Sequence, residues 1–228
     1  MNKVSLMLVF LLLGFFVMAQ DQLIINGKTN TKAETKVYLF KWGEVKPVKI
    51  DSTIAKDGSF RFQRDTQLQG VFFLTFDRSR MPVVLFPDKD SLTVNVQLSA
   101  VNGMIASSSV TGSRMQAAYA VYIRVSKTLS TEYNSLSEAY NKANENSNQA
   151  EKKRLDTEMK VTEKKMSDLE IKMIDDNPSN LLSLFFLVNN RDKFDYARFK
   201  KKLDNTPSSL QNTGLYAFLQ KYLLKIKQ

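Results

Sequence analysis

Short runs that alternate between apolar and polar residues fill the chain from residue 22 to about residue 110. In runs such as 36–41 (KVYLFK) and 91–98 (SLTVNVQL), every second side chain shares one face, which is typical of a half-buried strand. The run 70–76 (GVFFLTF) is apolar almost throughout, so we expect a central strand there. About seven or eight such strands, spaced by roughly 10–12 residues, favour an antiparallel β-sandwich or an open barrel.

Two dipeptides in this half predict tight turns. Asn26-Gly27 and Asp57-Gly58 each combine glycine with a side chain that tolerates a positive φ. Both positions are therefore expected to connect strands.

From about Gly112 the apolar spacing becomes helical. Tyr122, Leu129, Leu136 and Ala143 lie seven residues apart. A second stretch steps alternately by four and three residues, the a/d pattern of a coiled-coil seam, at Leu155, Met159, Thr162, Met166, Leu169 and Met173. The polar run 144–149 (NENSNQ) predicts a turn between them. We expect an antiparallel hairpin of two helices of about 30 residues, each roughly 45 Å long, which either packs on the sandwich or projects from it.

The last part of the chain predicts shorter helices. Asn177-Pro178-Ser179 ends the hairpin, and the run 181–188 (LLSLFFLV) is apolar almost all round, which indicates a buried helix. The fold class is therefore α+β. Its predicted parts are a sandwich domain at 20–111, a helical hairpin at 112–176 and C-terminal helices at 177–228 that pack on the preceding parts.

The first residues have the pattern of an export signal. Lys3 supplies a positive start, the run 6–17 (LMLVFLLLGFFV) is apolar, and Val17-Met18-Ala19 offers small side chains to a signal peptidase. The apolar run would make roughly 18 Å of helix, against a bilayer core of about 30 Å, which favours a cleaved signal over an uncleaved anchor. We expect cleavage near Ala19, a periplasmic or secreted protein, and no stable membrane span after cleavage.

Composition narrows the function classes. The 228 residues include no cysteine and no histidine, and the formal net charge is +10. These absences remove the common nucleophile–base pairs, most zinc sites and thiol chemistry, so we expect neither catalysis nor a cofactor. The basic charge favours an acidic partner, such as anionic lipid, an acidic glycan or an acidic protein, or serves only solubility. Export argues against nucleic acid as the partner.

The order of these segments resembles a known domain. The matching stretches are turns and strand patterns, at 23–27 (LIING), 37–39 (VYL), 50–53 (IDST), 57–60 (DGSF) with Phe62, 85–86 (LF), 91–92 (SL), 110–113 (VTGS) and 177–179 (NPS). They resemble the N-terminal domain of unknown function that precedes the thioredoxin-like (AhpC/TSA-type) domain in periplasmic thiol–disulfide oxidoreductases of Gram-negative bacteria. The resemblance covers essentially the whole mature chain.

The resemblance implies an accessory role without chemistry. In that family the redox activity belongs to a Cys-x-x-Cys pair in the thioredoxin-like domain. This chain has no cysteine, so that activity is carried over to no residue here.

Four residues are candidates for contact with a partner. Trp42, the single tryptophan, is either an exposed aromatic anchor or a half-buried strand residue. Lys200, Lys201 and Lys202 form a basic run that is either a solvated helix face or part of an anionic docking surface.

Two acidic pairs are the remaining chemical candidates. Asp88 with Asp90, and Asp175 with Asp176, are the kinds of carboxylate that hydrolyse glycosides in pairs. Both pairs fall in predicted turns, where carboxylates cap and solvate, so we interpret them as structural.

The sequence thus predicts a non-catalytic interaction module that binds an envelope protein or an acidic surface, with a possible homodimer through the hairpin. A basic holdase chaperone for envelope proteins is the alternative. A carrier of a lipid or small ligand inside the sandwich is a third hypothesis. It is disfavoured because phenylalanines at 72, 73, 76 and 86 are expected to fill that interior.

Overall fold

A computed structural model describes residues 22–65, 69–77, 79, 81–88 and 91–227, so the predicted export signal lies outside the described residues. The strands are β1 (Gln22–Thr29), β2 (Thr35–Trp42), β3 (Pro47–Ala55), β4 (Ser59–Asp65), β5 (Phe72–Phe76), β6 (Val83–Leu85), β7 (Ser91–Leu98) and β8 (Ile105–Thr111). The helices are α1 (Arg114–Glu145), α2 (Gln149–Asp176), α3 (Leu181–Asn189), α4 (Tyr196–Asp204), α5 (Ser208–Gln211) and α6 (Gly214–Ile226), with a 3-10 helix at Arg191–Lys193.

The strands form two four-stranded sheets that pack face to face. The first sheet has the order β4-β1-β7-β8 and the second the order β3-β2-β5-β6. This confirms the predicted α+β class, with a sandwich rather than a barrel, a long hairpin and shorter helices after it. The sandwich is not wholly antiparallel, because β1 pairs with β7 in parallel. The chain passes through the whole second sheet between these two strands, and such a long connection permits a parallel pairing that a tight turn forbids.

The sandwich interior is made by alternate residues of both sheets. In β7, Leu92, Val94, Val96 and Leu98 are buried while the residues between them are exposed. The same core includes the rings of Phe60 and Phe62 from β4 of the same sheet, and those of Phe72 and Phe76 from β5 of the facing sheet. This strict two-residue period explains why the strands were predictable from sequence.

The second sheet is also covered on its other face. Phe73 and Phe86 belong to a separate core, which Phe40, Trp42 and Val84 join from the same sheet and which the helices complete. The expectation that Phe73 and Phe86 fill the sandwich interior is therefore wrong. Phe73 lies between Phe72 and Leu74 in β5, so the pleat turns its side chain toward the helices.

One of the two predicted turns is a strand. Asp57-Gly58 is a tight turn with φ of 49° and 74°, and an isolated bridge pairs Lys56 with Ser59 across it. Asn26-Gly27 instead lies inside β1, where Gly27 pairs with Phe60. A Cβ at Gly27 would stand 1.9 Å from the Phe60 ring, so glycine is required there for close packing rather than for a turn.

The start of α1 is held by two polar side chains. Ser113 caps the helix by accepting a bond from the N–H of Gln116 at 3.2 Å. The buried amide of Gln116 accepts from the N–H of Phe86 at 3.0 Å and donates to the carbonyl of Val84 at 3.2 Å. Because β6 is an edge of its sheet, this amide satisfies backbone groups that would otherwise lack partners.

Replacing Gln116 with alanine is expected to lower the free energy of unfolding by about 1–3 kcal/mol, because Phe86 N–H and Val84 C=O lose their partner in a buried place. Urea denaturation measures this change. The control is Gln97→Ala at an exposed position of β7, where we expect little effect. Equal stabilities of the two variants would show that the Gln116 amide does not fasten the helix to the sheet.

A projecting two-helix arm as the candidate site

Among the described residues, the distal part of the hairpin makes polar and ring contacts only within the hairpin. We call residues 124–169 the arm. Its hydrogen bonds, ion pairs and ring contacts join one helix of the hairpin to itself or to the other helix, and neither hydrophobic core includes a described residue of the arm. At 1.5 Å per residue the arm extends about 30 Å from the body. The open question of whether the hairpin packs or projects is thus answered: its base packs and its distal part projects.

The seam between the two arm helices follows the predicted heptad spacing. Leu155 and Thr162 are buried, whereas Met159, Met166 and Leu169 are only half-buried. Two helices cover each other on one face alone, so the flanks of the seam stay open to solvent. The arm therefore offers a partly covered apolar strip along its length.

A polar pair in the seam fixes how the two helices align. The Thr162 hydroxyl, which is 1% exposed, donates to Glu132 Oε1 at 2.9 Å, and Lys165 Nζ lies 3.4 Å from the same oxygen. These contacts, with the Thr162 bond contributing most, hold the pKa of Glu132 below its usual range. The Thr162 hydroxyl also lies 3.1 Å from the Glu158 carbonyl of its own helix, so the bond to Glu132 favours the observed alignment without being the only acceptor that Thr162 can use.

The outer surface of the arm carries mixed charge. Ion pairs one turn apart join Asp156 to Lys160 at 2.6 Å and Lys164 to Asp168 at 2.5 Å. Such exposed pairs contribute little to stability, because solvent screens them. Their main effect is that positive and negative side chains alternate on the surface of the arm, whereas the chain as a whole has a positive net charge.

The tip of the arm is a three-residue turn. The N–H of Asn146 bonds to the carbonyl of Lys142, Ser147 takes a positive φ of 54°, and the Asn148 side chain accepts from the N–H of Glu151. This confirms the turn predicted at 144–149 from its polar composition.

The base of the arm is anchored by rings. The aromatic cluster consists of Phe86, Tyr119, Tyr122, Phe185 and Phe186. Tyr119 stacks on Tyr122 at 5.9 Å, and Tyr122 meets Phe186 edge-on at 4.5 Å. The Tyr122 hydroxyl donates to Glu170 Oε1 at 3.2 Å, which joins α1 to α2 where the arm leaves the body.

Trp42 lies in the core between the second sheet and the helices. It is half-buried at the end of β2, with its ring 5.9 Å from Phe73 and 6.4 Å from Phe218. Its indole Nε1 is buried and has no hydrogen-bond partner among the described residues. The ring thus contributes apolar packing in this position, which agrees with the half-buried interpretation of this residue.

The three lysines of α4 do not act as one group. Lys200 pairs with Asp204 on its own helix at 2.5 Å, and Lys202 pairs with Asp175 at the end of α2. Lys201 is exposed and makes no ion pair within the described part of the chain. Contact between these lysines and a partner stays a prediction.

The acidic pairs have structural partners. Asp88 accepts a bond from the N–H of Arg114 at 2.8 Å and so caps α1, while Asp90 lies outside the described residues. Asp175 pairs with Lys202, and Asp176 with Lys172 at 2.7 Å. Each described carboxylate of these pairs is thus engaged by a cation or a helix end.

No built ligand site is visible in the described residues. Two open depressions lie on the sandwich: one of about 540 Å³ lined mainly by loop residues such as Asn30 and Ser99, and one of about 520 Å³ lined mainly by strand residues such as Asn26 and Arg61. The described part of the chain also contains no cluster of acidic side chains that could hold a metal ion. None of its helices is long and apolar enough to cross a bilayer.

One protein family is similar to the sandwich. Residues 23–119 match the family Domain of unknown function (DUF4369). The match confirms the resemblance to a domain of unknown function over these residues. Its continuation past residue 119 and the thioredoxin-like neighbour stay predictions. Neither the curated proteins nor the solved structures contain a significant match to the chain.

The DUF4369 match includes both sheets and the first turns of α1. It therefore contains Gln116 and Tyr119, which fasten the hairpin to the body, and it ends before the arm begins. The candidate site thus lies just beyond the matched residues.

Tyr119 makes the base of the arm sensitive to alkali. Burial, with a smaller contribution from Tyr122, raises the pKa of Tyr119 to about 12, against about 10 in an unfolded chain. Stability from this group is complete below pH 10 and is lost as the pH rises toward 12, because only the unfolded state then releases the proton. Between pH 9 and pH 11.5 the free energy of unfolding should fall in the wild type, and Tyr119→Phe should make this fall smaller by up to about 2 kcal/mol. Chemical denaturation at each pH measures it. The same pair of proteins at pH 7 controls for packing, and an unchanged alkaline loss in the variant would contradict the assignment.

Proposed function

We propose that this protein is a non-catalytic interaction module of the cell envelope, and that the arm is where it binds a partner protein. The observation that carries the proposal is the contrast within one hairpin. Its base is fixed by the aromatic cluster and the Gln116 amide. Within the described part of the chain, 124–169 make no hydrogen bond, ion pair or ring contact outside the hairpin and belong to neither core. A rigidly anchored element that extends into solvent is well placed to reach another molecule.

The surface chemistry of the arm supports a protein partner. Half-buried Met159, Met166 and Leu169 supply an adaptable apolar strip, and methionine suits such surfaces because it is flexible and polarisable. The flanking charges of both signs provide a pattern that a specific partner would complement. A uniformly acidic surface such as anionic lipid would be met better by a single-sign face.

Other parts of the structure favour this proposal over the alternatives. A ligand carrier needs space inside the sandwich, but Phe60, Phe62, Phe72 and Phe76 occupy that interior. A holdase needs a surface that cradles unfolded chains, whereas the arm is a single narrow rod of two helices. The proposed envelope location rests on the predicted export signal. The proposed lack of catalysis rests on the missing cysteine and histidine.

Photo-crosslinking in cells tests which surface meets a partner. A crosslinking amino acid is placed at Asn134 or Lys153 on the exposed surface of the arm, and at Ser52, an exposed position in the edge strand β3, as the control. We expect one or two defined proteins from the arm positions and none of them from Ser52. A broad spread of unfolded outer-membrane proteins would instead support the holdase, and identical products from all three positions would contradict an arm-specific site.

Removing the arm separates binding from folding. In the truncated variant a short glycine-containing turn replaces 124–169, and the anchoring residues Gln116, Tyr119 and Tyr122 are kept. We expect the remaining protein to fold and to unfold in a single cooperative transition like the wild type, because neither hydrophobic core contains a residue of 124–169. Retained crosslinking of the same partner from a body position would overturn the proposal, and collapse of the fold would show that the arm has a structural role.

A further inference from the structure

One continuous stretch of the chain avoids charge. In a protein whose residues are 25% charged, no charged residue occurs from 91 to 113. This stretch forms β7, β8 and the connection into α1. Its exposed strand positions are mostly serine, threonine, asparagine and glutamine, with Ala106 among them, so one edge of the first sheet is uncharged and largely polar.

The four edge strands differ in how they are protected. Natural proteins block sheet edges with charges, proline or a covering group, because an open edge pairs with other strands. The β3 edge begins with Pro47 and includes Lys49, and the β4 edge includes Arg61 and Arg64. The β6 edge is capped by the Gln116 amide.

The β8 edge has none of these devices. Ala106, Ser107, Ser108 and Ser109 are all exposed. Among the described residues, only β7 hydrogen-bonds the backbone from Ser107 to Thr111. The strand runs in regular register with β7 over these same residues, from Gln97 opposite Ser107 to Thr93 opposite Thr111. From Ser107 to Thr111 it is therefore an open edge of mostly small side chains, and the irregular pairing at Ala106 bounds this edge on one side.

We propose that β8 pairs with β8 of a second copy of this chain, in antiparallel orientation about a two-fold axis near Ser109. The two first sheets then form one continuous eight-stranded sheet across the dimer. Around this axis Ser109 lies opposite its own counterpart, Ser107 lies opposite Thr111, and Ser108 opposite Val110. Opposed serine and threonine side chains are favourable cross-strand partners, and no like charges meet.

Charge favours a second copy as the occupant. Each copy is strongly basic, so two copies repel wherever their charged surfaces meet. The stretch 91–113 removes that repulsion at the one edge that is open. A strand from an acidic protein would gain no electrostatic attraction from an uncharged edge, whereas self-pairing needs an edge where no like charges meet.

The absence of native cysteine allows a direct test. Residues on the axis of an antiparallel pair have Cα atoms about 4.5–5.5 Å apart, which lies within the range of a disulfide. Ser109→Cys should therefore form a disulfide-linked dimer under mild oxidation. Asn95→Cys is the matched control, because it is exposed on β7 directly opposite Ser109 but one strand in from the edge. We expect Asn95→Cys to crosslink at least tenfold more slowly.

Sedimentation of the purified protein over a wide concentration range measures the dimer without crosslinking. We expect a monomer–dimer equilibrium in the wild type, and a dissociation constant raised at least tenfold by Ser109→Lys but not by Asn95→Lys. The truncated variant without the arm should dimerise like the wild type.

The other outcomes overturn the proposal. A monomer at every concentration excludes self-pairing. A dimer that survives Ser109→Lys and disappears on arm truncation assigns dimerisation to the hairpin. Capture of a different protein by Ser109→Cys in cells, without self-crosslinking, assigns the edge to a foreign strand. If the protein does not dimerise but the arm still crosslinks to its partner, only the proposal for β8 is overturned. The proposed function is tested by the arm crosslink alone, so each proposal can fail without the other.

Discussion

The middle of the second sheet, around β5, is covered on both faces, and the rest of the structure depends on this. In β5, Phe72, Leu74 and Phe76 point into the sandwich while Phe73 points to the helices. A sheet that is apolar on both sides must be covered twice, because apolar area left in water costs about 25 cal/mol per Å². The first sheet covers one side. The chain must then return after the hairpin to cover the other, which explains why the apolar helix α3 follows directly on α2.

This layering also explains which parts of the fold were predictable from sequence. The hairpin seam and the buried helix at 181–188 are repeated local patterns, so they were visible without tertiary information. The side to which Phe73 points was not, because it depends on helices more than a hundred residues away. Asn26-Gly27 was misinterpreted for the same reason: its glycine is explained by the Phe60 ring on another strand. The serine-rich β8 has too weak an alternation to be assigned on its own.

The candidate site was only partly visible in the sequence. A hairpin longer than the sandwich is wide follows from counting residues, but its projection follows from where anchoring contacts stop, at Tyr122 and Glu170. Trp42 and the lysines of α4 stood out by residue type alone. The structure places Trp42 in packing and two of the lysines in ion pairs. Residue type is a poor guide here because aromatic and basic side chains serve cores and surfaces alike.

The arm also acts as a lever. It is fixed only at its base, so a tilt of about 10° at the aromatic cluster displaces the tip by roughly 5 Å over a length of about 30 Å. That displacement approaches the pitch of one helical turn. A molecule that grips the turn at Ser147 would exert torque on the packing of Tyr119 and Tyr122, and a small repacking of those rings would be amplified at the far end. Force and position are thus transmitted between two ends of the hairpin that share no direct contact.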